Sequence, residues 1–185
     1  VDFNLANQTM TTSLFDQLFG NHRWVTNHAN SGIVSNQFKI VIPGQNIKGI
    51  MMVADIAQNR EKWVETKFKF DKNFQWGSSN DIKLPCGLGG GSAITGGSTD
   101  VTSGWSCRLI KNTNNRLSLY VYHANRASKY GDKWDTDVYA QKDVWYTVRM
   151  YVKSNSANTG DGVCKLSING QQKISRSNII WARDA

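Results

Sequence analysis

Six stretches of the chain alternate apolar and polar residues with the period of two that is typical of half-buried β-strands. They are rich in β-branched and aromatic side chains, and clusters of Gly, Asn, Asp and Ser separate them. In chain order they are F-K-I-V-I, W-V-E-T-K-F-K-F, W-S-C-R-L-I, L-S-L-Y-V-Y, W-Y-T-V-R-M-Y-V and V-C-K-L-S-I. Only T-S-L-F-D-Q-L-F, near the N-terminus, has helical spacing. The pattern predicts an all-β, jelly-roll β-sandwich of two antiparallel sheets with a short N-terminal helix.

Two short connections predict hairpins. The segment K-N-T-N-N-R joins W-S-C-R-L-I to L-S-L-Y-V-Y, and Asn169-Gly170 follows V-C-K-L-S-I, where a tight turn to Q-Q-K-I-S is expected. In the first hairpin, pairing Arg108 with Tyr120 also places Ser106 opposite Tyr122. Opposed residues share one face of a sheet at about 4.5–5.5 Å, so these four side chains are predicted to form a cationic, hydroxyl-rich patch.

A glycine-rich segment, K-L-P-C-G-L-G-G-G, carries Lys83 and precedes this hairpin. It lacks the Gly-Lys-Ser/Thr ending of a phosphate-binding loop, so residues 87–97 are interpreted as a mobile loop beside a cleft. We expect Lys83 to reach the same patch. An isolated lysine of this kind is more often only a solvated charge.

Composition narrows the choice of partner. The 185 residues suffice for one domain, 1–185, and no internal repeat or linker divides them. Lys and Arg number 22 against 14 Asp and Glu, a net charge of +8 that favours an anionic partner. No apolar run approaches the roughly 18 residues of a membrane helix, and the basic residues are scattered without an RNA-binding signature. Nucleic acid, anionic membrane and acidic polysaccharide all fit that charge, and composition alone does not choose among them. We expect a monomer without a nucleic acid or membrane partner, and an anionic polysaccharide as partner rests on the family resemblance given below.

Residues that often bind metals give no strong pattern here. The three cysteines (Cys86, Cys107 and Cys164) lack metal-ligand spacing and are interpreted as buried thiols, although one disulfide remains open. The three carboxylates of D-K-W-D-T-D, residues 132–137, lack a recognised calcium-loop pattern and are interpreted as a solvated loop. His123 points opposite to Tyr122, which favours a structural role. No cofactor or metal is predicted.

The ordered motifs K-L-P-x-G-L-x-G-G, S-x-R and Y-x-Y resemble those of the alginate and glucuronan lyases of polysaccharide lyase family 14, related to family 20, over roughly Trp63 to Trp181. Cys86, between Pro85 and Gly87, departs from the family's usual Pro-Gly. Relatives usually continue beyond the I-I-W-A-R stretch into further strands, so whether C-terminal strands are missing here stays open.

The resemblance implies a β-jelly-roll enzyme that cleaves a uronate polymer by β-elimination, with Lys83, Ser106, Arg108, Tyr120 and Tyr122 as its catalytic residues. Such an enzyme removes the C5 proton beside a carboxylate and expels the C4 oxygen. Arg108 suits neutralisation of the carboxylate, because guanidinium binds it in bidentate fashion, and Ser106 adds a hydroxyl. Lys83 is expected as base or second neutralising cation, and one of the two tyrosines as acid. The division of roles stays open.

Three further residues are expected to bind substrate. Trp76 and Trp134 lie in segments that read as turns and can stack on sugar rings. Lys111 follows Ile110 where relatives often have an aromatic-Arg pair.

Alternative functions remain open at this point. One is a carbohydrate-binding module without activity on the same fold, and a weaker one is a glycoside hydrolase, which would want two carboxylates that the patch lacks. The chain begins at Val1 rather than Met, as a processed secreted protein does and as a trimmed chain also would. We expect a secreted, extracellular protein.

Overall fold

The computed structural model of the protein describes residues 3–42, 50–77, 81–92 and 103–183. The chain divides into two compact units, residues 1–58 and 59–185. Among the described residues, no helix is long and apolar enough to cross a membrane.

The first unit holds the predicted helix, α1 (Thr12–Phe19), which begins where the Thr11 side chain accepts a hydrogen bond from the Leu14 N–H at 3.1 Å. Two small antiparallel sheets accompany it. Its other elements are β1 (Gln8–Thr9), β2 (His22–Thr26), a 3₁₀ turn (His28–Asn30), β3 (Ser31–Val34), β4 (Gln37–Ile40) and β5 (Met51–Ala54).

The second unit is a sandwich of two four-stranded antiparallel sheets, in the orders β10-β9-β8-β7 and β13-β12-β11-β6. This confirms the predicted fold class. Its strands are β6 (Glu61–Phe68), β7 (Ile82–Gly91), β8 (Gly104–Lys111), β9 (Arg116–Tyr122), β10 (Asp132–Tyr139), β11 (Tyr146–Lys153), β12 (Gly162–Ile168) and β13 (Gln171–Ile179).

The core lies between these two sheets because every second residue of each strand points inward. Leu109 of β8, Leu119 of β9, Met150 of β11 and Leu166 of β12 are fully buried there. Cys107 and Cys164 meet across the core with their sulfurs 3.8 Å apart. These two thiols and that of Cys86 are free and buried, as interpreted from the sequence.

Both predicted hairpins are confirmed. Strand β8 pairs with β9, and the turn between β12 and β13 consists of Asn169 and Gly170, with φ of 50° and 79°. Positive φ at both central residues gives a turn whose twist matches that of its strands, and it explains why Asn-Gly stands there.

Two segments interpreted as loops are strands. Residues 87–91 of the glycine-rich segment belong to β7, paired with β8, whereas residues 93–97 lie outside the described part. Residues 132–137 belong to β10, paired with β9. Glycine and aspartate have low strand propensity. Backbone pairing of β7 with β8 and of β10 with β9 overrides that propensity in both segments. Gly90 also lacks room for a side chain, since a Cβ there would lie 2.5 Å from the Trp105 indole nitrogen.

Candidate active site

Strands β8 and β9 bring four of the predicted catalytic residues together in the expected register. Arg108 pairs with Tyr120, and Ser106 pairs with Tyr122. Because these residues alternate with the core positions Cys107 and Val121, their side chains lie on the sheet face turned away from the core. The shared face is therefore confirmed, and with it a compact polar patch, which we call the β8–β9 patch.

The two phenols of the patch contact each other. The hydroxyl oxygens of Tyr120 and Tyr122 lie 3.2 Å apart, and the rings meet edge to face with centroids 5.2 Å apart. The Gly131 N–H donates to the Tyr120 oxygen at 3.2 Å. Burial, followed by the hydrogen bond with Tyr122, raises the pKa of Tyr120 to about 12. Tyr120 is thus a protonated phenol at neutral pH.

Deep burial distinguishes the patch from an ordinary solvated surface. Ser106 and Tyr122 are each only 1% exposed, while Arg108 and Tyr120 are half-buried. Burial lowers the pKa of the Arg108 guanidinium, and the electrostatic influence of Tyr122 and Tyr120 partly offsets that effect. A guanidinium remains charged under these conditions, and partial desolvation strengthens its attraction for an anion.

Lys83 lies on the same face of the sheet, in the neighbouring strand β7. It pairs with Ile110, two residues beyond Arg108 on β8, so Lys83 and Arg108 are diagonal neighbours with backbones about 7–8 Å apart. Lys83 is exposed. The register between β7 and β8 is irregular after Lys83 and resumes where Gly87 pairs with Arg108. Cys86, the departure from the family motif, falls inside this irregular stretch and is buried.

The predicted substrate-binding residues point elsewhere. Trp134 pairs with Leu119, a core position, and packs against Trp181 at a centroid distance of 6.5 Å. Trp76 packs against the edge of the core, 4.9 Å from Phe70 between ring centroids. Both tryptophans lie in segments that resemble turns in the sequence. Trp134 lies in strand β10 instead, and Trp76 packs inward within an aromatic cluster.

Lys111 is also directed inward and does not join the β8–β9 patch. It shares the face of Cys107 and Leu109 and is fully buried. Its ammonium donates to the Asn115 side-chain oxygen at 3.1 Å and to the Trp76 carbonyl at 3.3 Å. Desolvation lowers the pKa of this lysine. Lys111 therefore lies away from the β8–β9 patch, with its ammonium held by two acceptors, and substrate binding by this residue stays a prediction that nothing in this arrangement supports.

The aspartates of β10 do not converge on a common centre. Asp132 contacts His123 at 2.8 Å, Asp135 accepts from Ser118 at 2.6 Å and pairs with Arg116, and Asp137 pairs with Lys173. Each carboxylate is held by a partner of its own. In the described parts of the chain, no group of three or more His, Cys, Asp or Glu is arranged to hold a metal ion.

Two residues that were not predicted complete the patch. Gly131 fits against both tyrosine rings, since a Cβ there would lie 3.1 Å from the nearest carbon of each. Arg126, buried at 8% exposure, stacks on the Tyr122 ring with its guanidinium carbon 5.3 Å from the centroid. Strand β10 pairs Asp132 with Val121, and the same register continued by one residue places Gly131 opposite Tyr122. The sequence hides this signal, because residues 132–137 resemble a loop rather than a strand.

Comparison with solved structures gives several matches over almost the whole chain. A double mutant of alginate lyase Aly36B in complex with an alginate tetrasaccharide matches with a TM-score of 0.88 at 22% identity, covering 100% of this chain and 79% of that one. The marine PL-14 alginate lyase from Aplysia kurodai matches with a TM-score of 0.75 at 16% identity, covering 95% and 80%. Alginate lyase vAL-1 from Chlorella virus matches with a TM-score of 0.61 at 17% identity, covering 95% and 84%. These likenesses establish a shared fold.

A search of curated protein sequences found no match. The family model of polysaccharide lyase 14 matches residues 35–185, which include all five predicted catalytic residues. On that match, and with the fold and the residues of the β8–β9 patch in place, the chain belongs to polysaccharide lyase family 14.

Proposed function

We propose that this protein is an alginate lyase that cleaves its polymer by β-elimination at the β8–β9 patch. The observation that carries the proposal is the register of Ser106 and Arg108 against Tyr122 and Tyr120, with Lys83 on the same face, in a chain of polysaccharide lyase family 14. Alginate is favoured over glucuronan because the matched solved structures are of alginate lyases, one of them holding an alginate tetrasaccharide.

Arg108 binds the carboxylate of the sugar that loses its proton. The C5 proton is barely acidic while that carboxylate carries a full negative charge, so a cation must take up the charge that develops in the enolate. A half-buried guanidinium with two phenols beside it is suited to this role, because it pairs with a carboxylate through two parallel hydrogen bonds. Ser106, across from Tyr122, supplies a hydroxyl donor.

Lys83 acts as the base that takes the C5 proton. It is an exposed side chain on the neighbouring strand, on the same face as Arg108 and opposite the residue two positions beyond it. The electrons of the C5–H bond then form the C4–C5 double bond as the bond from C4 to the glycosidic oxygen breaks.

Tyr122 donates the proton that the departing oxygen needs. The Gly131 N–H donates to the Tyr120 oxygen, and the hydroxyls of Tyr120 and Tyr122 share one hydrogen bond in which either can be the donor. We assign the transferred proton to Tyr122, with Tyr120 as the phenol that holds it in place. General acid catalysis of this kind contributes about 10²–10⁴-fold to the rate.

We also propose that the protein acts outside the cell as a monomer, since a polymeric substrate is met there.

The test is the ultraviolet absorbance of the unsaturated product during incubation with alginate, with glucuronan as a parallel substrate. Alginate should give a steady rise. Lys83→Ala and Tyr122→Phe should each remove most turnover with little change in melting temperature, and Arg108→Ala should weaken substrate binding as well as rate. If the protein bound alginate without any rise in absorbance, it would be a binding module and not a lyase. If absorbance rose with glucuronan alone, the substrate would be glucuronan and not alginate.

A further inference from the structure

The face of the second sheet that points away from the core carries exposed rings and cations side by side. Trp63 of β6 pairs with Tyr151 of β11, which in turn pairs with Lys165 of β12. Arg149 stacks over the Trp63 ring with its guanidinium carbon 4.4 Å from the centroid, and the Lys165 ammonium lies 5.8 Å from the centroid of Tyr151. We call these four residues the outer row.

The outer row is an unusual surface for a soluble sheet. Trp63 is 58% exposed, one of the largest exposures of any apolar side chain in the described residues, so the ring face away from Arg149 is open to a ligand. An exposed aromatic ring beside cations offers a flat face on which a sugar ring can stack. Sheet strands lie about 4.8 Å apart, so the row from Trp63 to Lys165 spans about 10 Å. It is longer than one sugar ring.

The charges of the outer row are available to an anion. Neither Arg149 nor Lys165 forms a salt bridge with any residue that the structure describes, although Glu65 lies directly opposite Arg149. The two cations border a depression of about 310 Å³, which Tyr151, Ser167 and Gln172 also line. Ser167 and Gln172 supply a hydroxyl and an amide that can bind sugar hydroxyls, whereas the Tyr151 hydroxyl already donates to Glu61 at 2.9 Å. Aromatic rings, cations and polar groups thus lie side by side on the adjacent strands β6, β11 and β12.

We infer that the outer row is a second binding surface for acidic polysaccharide, separate from the β8–β9 patch. The ligand class is a polyuronate, whose sugar rings stack on aromatic side chains and whose regularly repeated carboxylates match two unpaired cations. The inference rests on the proposed function, because it takes the same polymer as ligand. The patch and the outer row lie on opposite outer faces of one sandwich, so a long polymer held at the row raises the local concentration of chain near the patch.

The experiment compares a variant of the row with a variant that removes the same charge elsewhere. Arg149→Ala with Lys165→Ala, alone and with Trp63→Ala, changes the row; Lys72→Ala with Lys142→Ala is the matched control in the loops of the same unit. Binding is measured by affinity electrophoresis in gels containing alginate, in a Lys83→Ala background that prevents cleavage. We expect the row variants to be retained about tenfold more weakly and the control to behave as its parent, with the difference shrinking as salt is added.

Cleavage assays separate this inference from the proposed function. With long alginate the row variants should show a raised KM, whereas with an alginate tetrasaccharide, too short to reach both faces, kcat/KM should match that of the parent. Equal retention of row variants and control, or equal retention by single-stranded DNA and by alginate, would overturn the inference while leaving the lyase intact. Absence of any cleavage by the parent protein would overturn the proposed function, and the electrophoresis would still report on the row.

Discussion

Replacing Gly131 with alanine tests whether the two tyrosines act as one unit. A Cβ at this position would lie 3.1 Å from the nearest carbon of each ring and 2.9 Å from the Val121 carbonyl oxygen. Relaxed carbon contacts lie at about 3.5–4.0 Å, so both rings must retreat by about 0.5 Å. A displacement of 1 Å in a catalytic site costs about 10²-fold, so half that distance predicts a loss of about tenfold in kcat.

The same displacement weakens the hydrogen bond from the Gly131 N–H to Tyr120. At 3.2 Å this hydrogen bond is already at the long end of the range for such bonds. Lengthening it further removes about 1 kcal/mol of the hydrogen-bond free energy that orients the Tyr120 phenol. Overpacking should cost about 1–3 kcal/mol of folding stability, or a few degrees in melting temperature for each kcal/mol. Gly160→Ala is the matched control, because a Cβ there meets only ordinary contacts at 3.4–3.8 Å.

Steady-state rates on alginate and thermal melts would be measured for both glycine variants, and for Gly131→Ala combined with Tyr120→Phe. Once the Tyr120 hydroxyl is gone there is less for the glycine to orient, so its effect on kcat should shrink in the double variant. If Gly131→Ala turned over within twofold of the parent, the phenol pair would not be held by this contact. Fully additive losses would equally contradict a shared role.

Two further predictions follow from buried groups. Since burial raises the pKa of Tyr120 to about 12, a spectrophotometric titration around pH 10, where an ordinary tyrosine is half ionised, should show no phenolate lost in Tyr120→Phe relative to the parent; a loss of a half-ionised phenol there would contradict the assignment. Burial raises the pKa of Cys86 to about 12 and that of Cys107 well above its usual range, so at about pH 8.5 a thiol reagent should label the native protein slowly and all three thiols once it is unfolded. Rapid labelling of the native chain at Cys86 or Cys107 would refute that expectation.

The fold could be predicted from the sequence where a short stretch of chain carries its own pattern, such as period-two alternation or a characteristic turn pair. The hairpin of β8 and β9 follows from period-two alternation on both sides of a polar turn, and the Asn169-Gly170 turn follows from the need for positive φ. Strands β7 and β10 were not predictable in this way, because they are built from glycine and aspartate and are held in place by the hairpin between them.

The placement of the predicted substrate-binding residues has the same origin. The segment of Trp134 resembles a turn, but strand β10 assigns this residue to the face of Leu119. Lys111 shows a different limit: its alternation with Ser106 and Arg108 already put it on the core face, yet a charged residue is rarely expected there. Its burial depends on the Trp76 carbonyl and the Asn115 side chain, contacts that span 35 and 4 residues of chain.

Strand β8 shows why the site is readable from the sequence when its surroundings are not. Consecutive residues of the strand serve opposite purposes: Cys107 and Leu109 fill the core, while Ser106 and Arg108 face the patch. A slip of one residue in its pairing would bury the guanidinium and expose the core residues, so the hydrophobic side enforces the register that the polar side needs. The geometry of the β8–β9 patch is therefore fixed by packing on the opposite face of the same strand. The residues that tune the patch, Gly131 and Arg126, enter from a later segment under no such constraint, and only the folded structure reveals them.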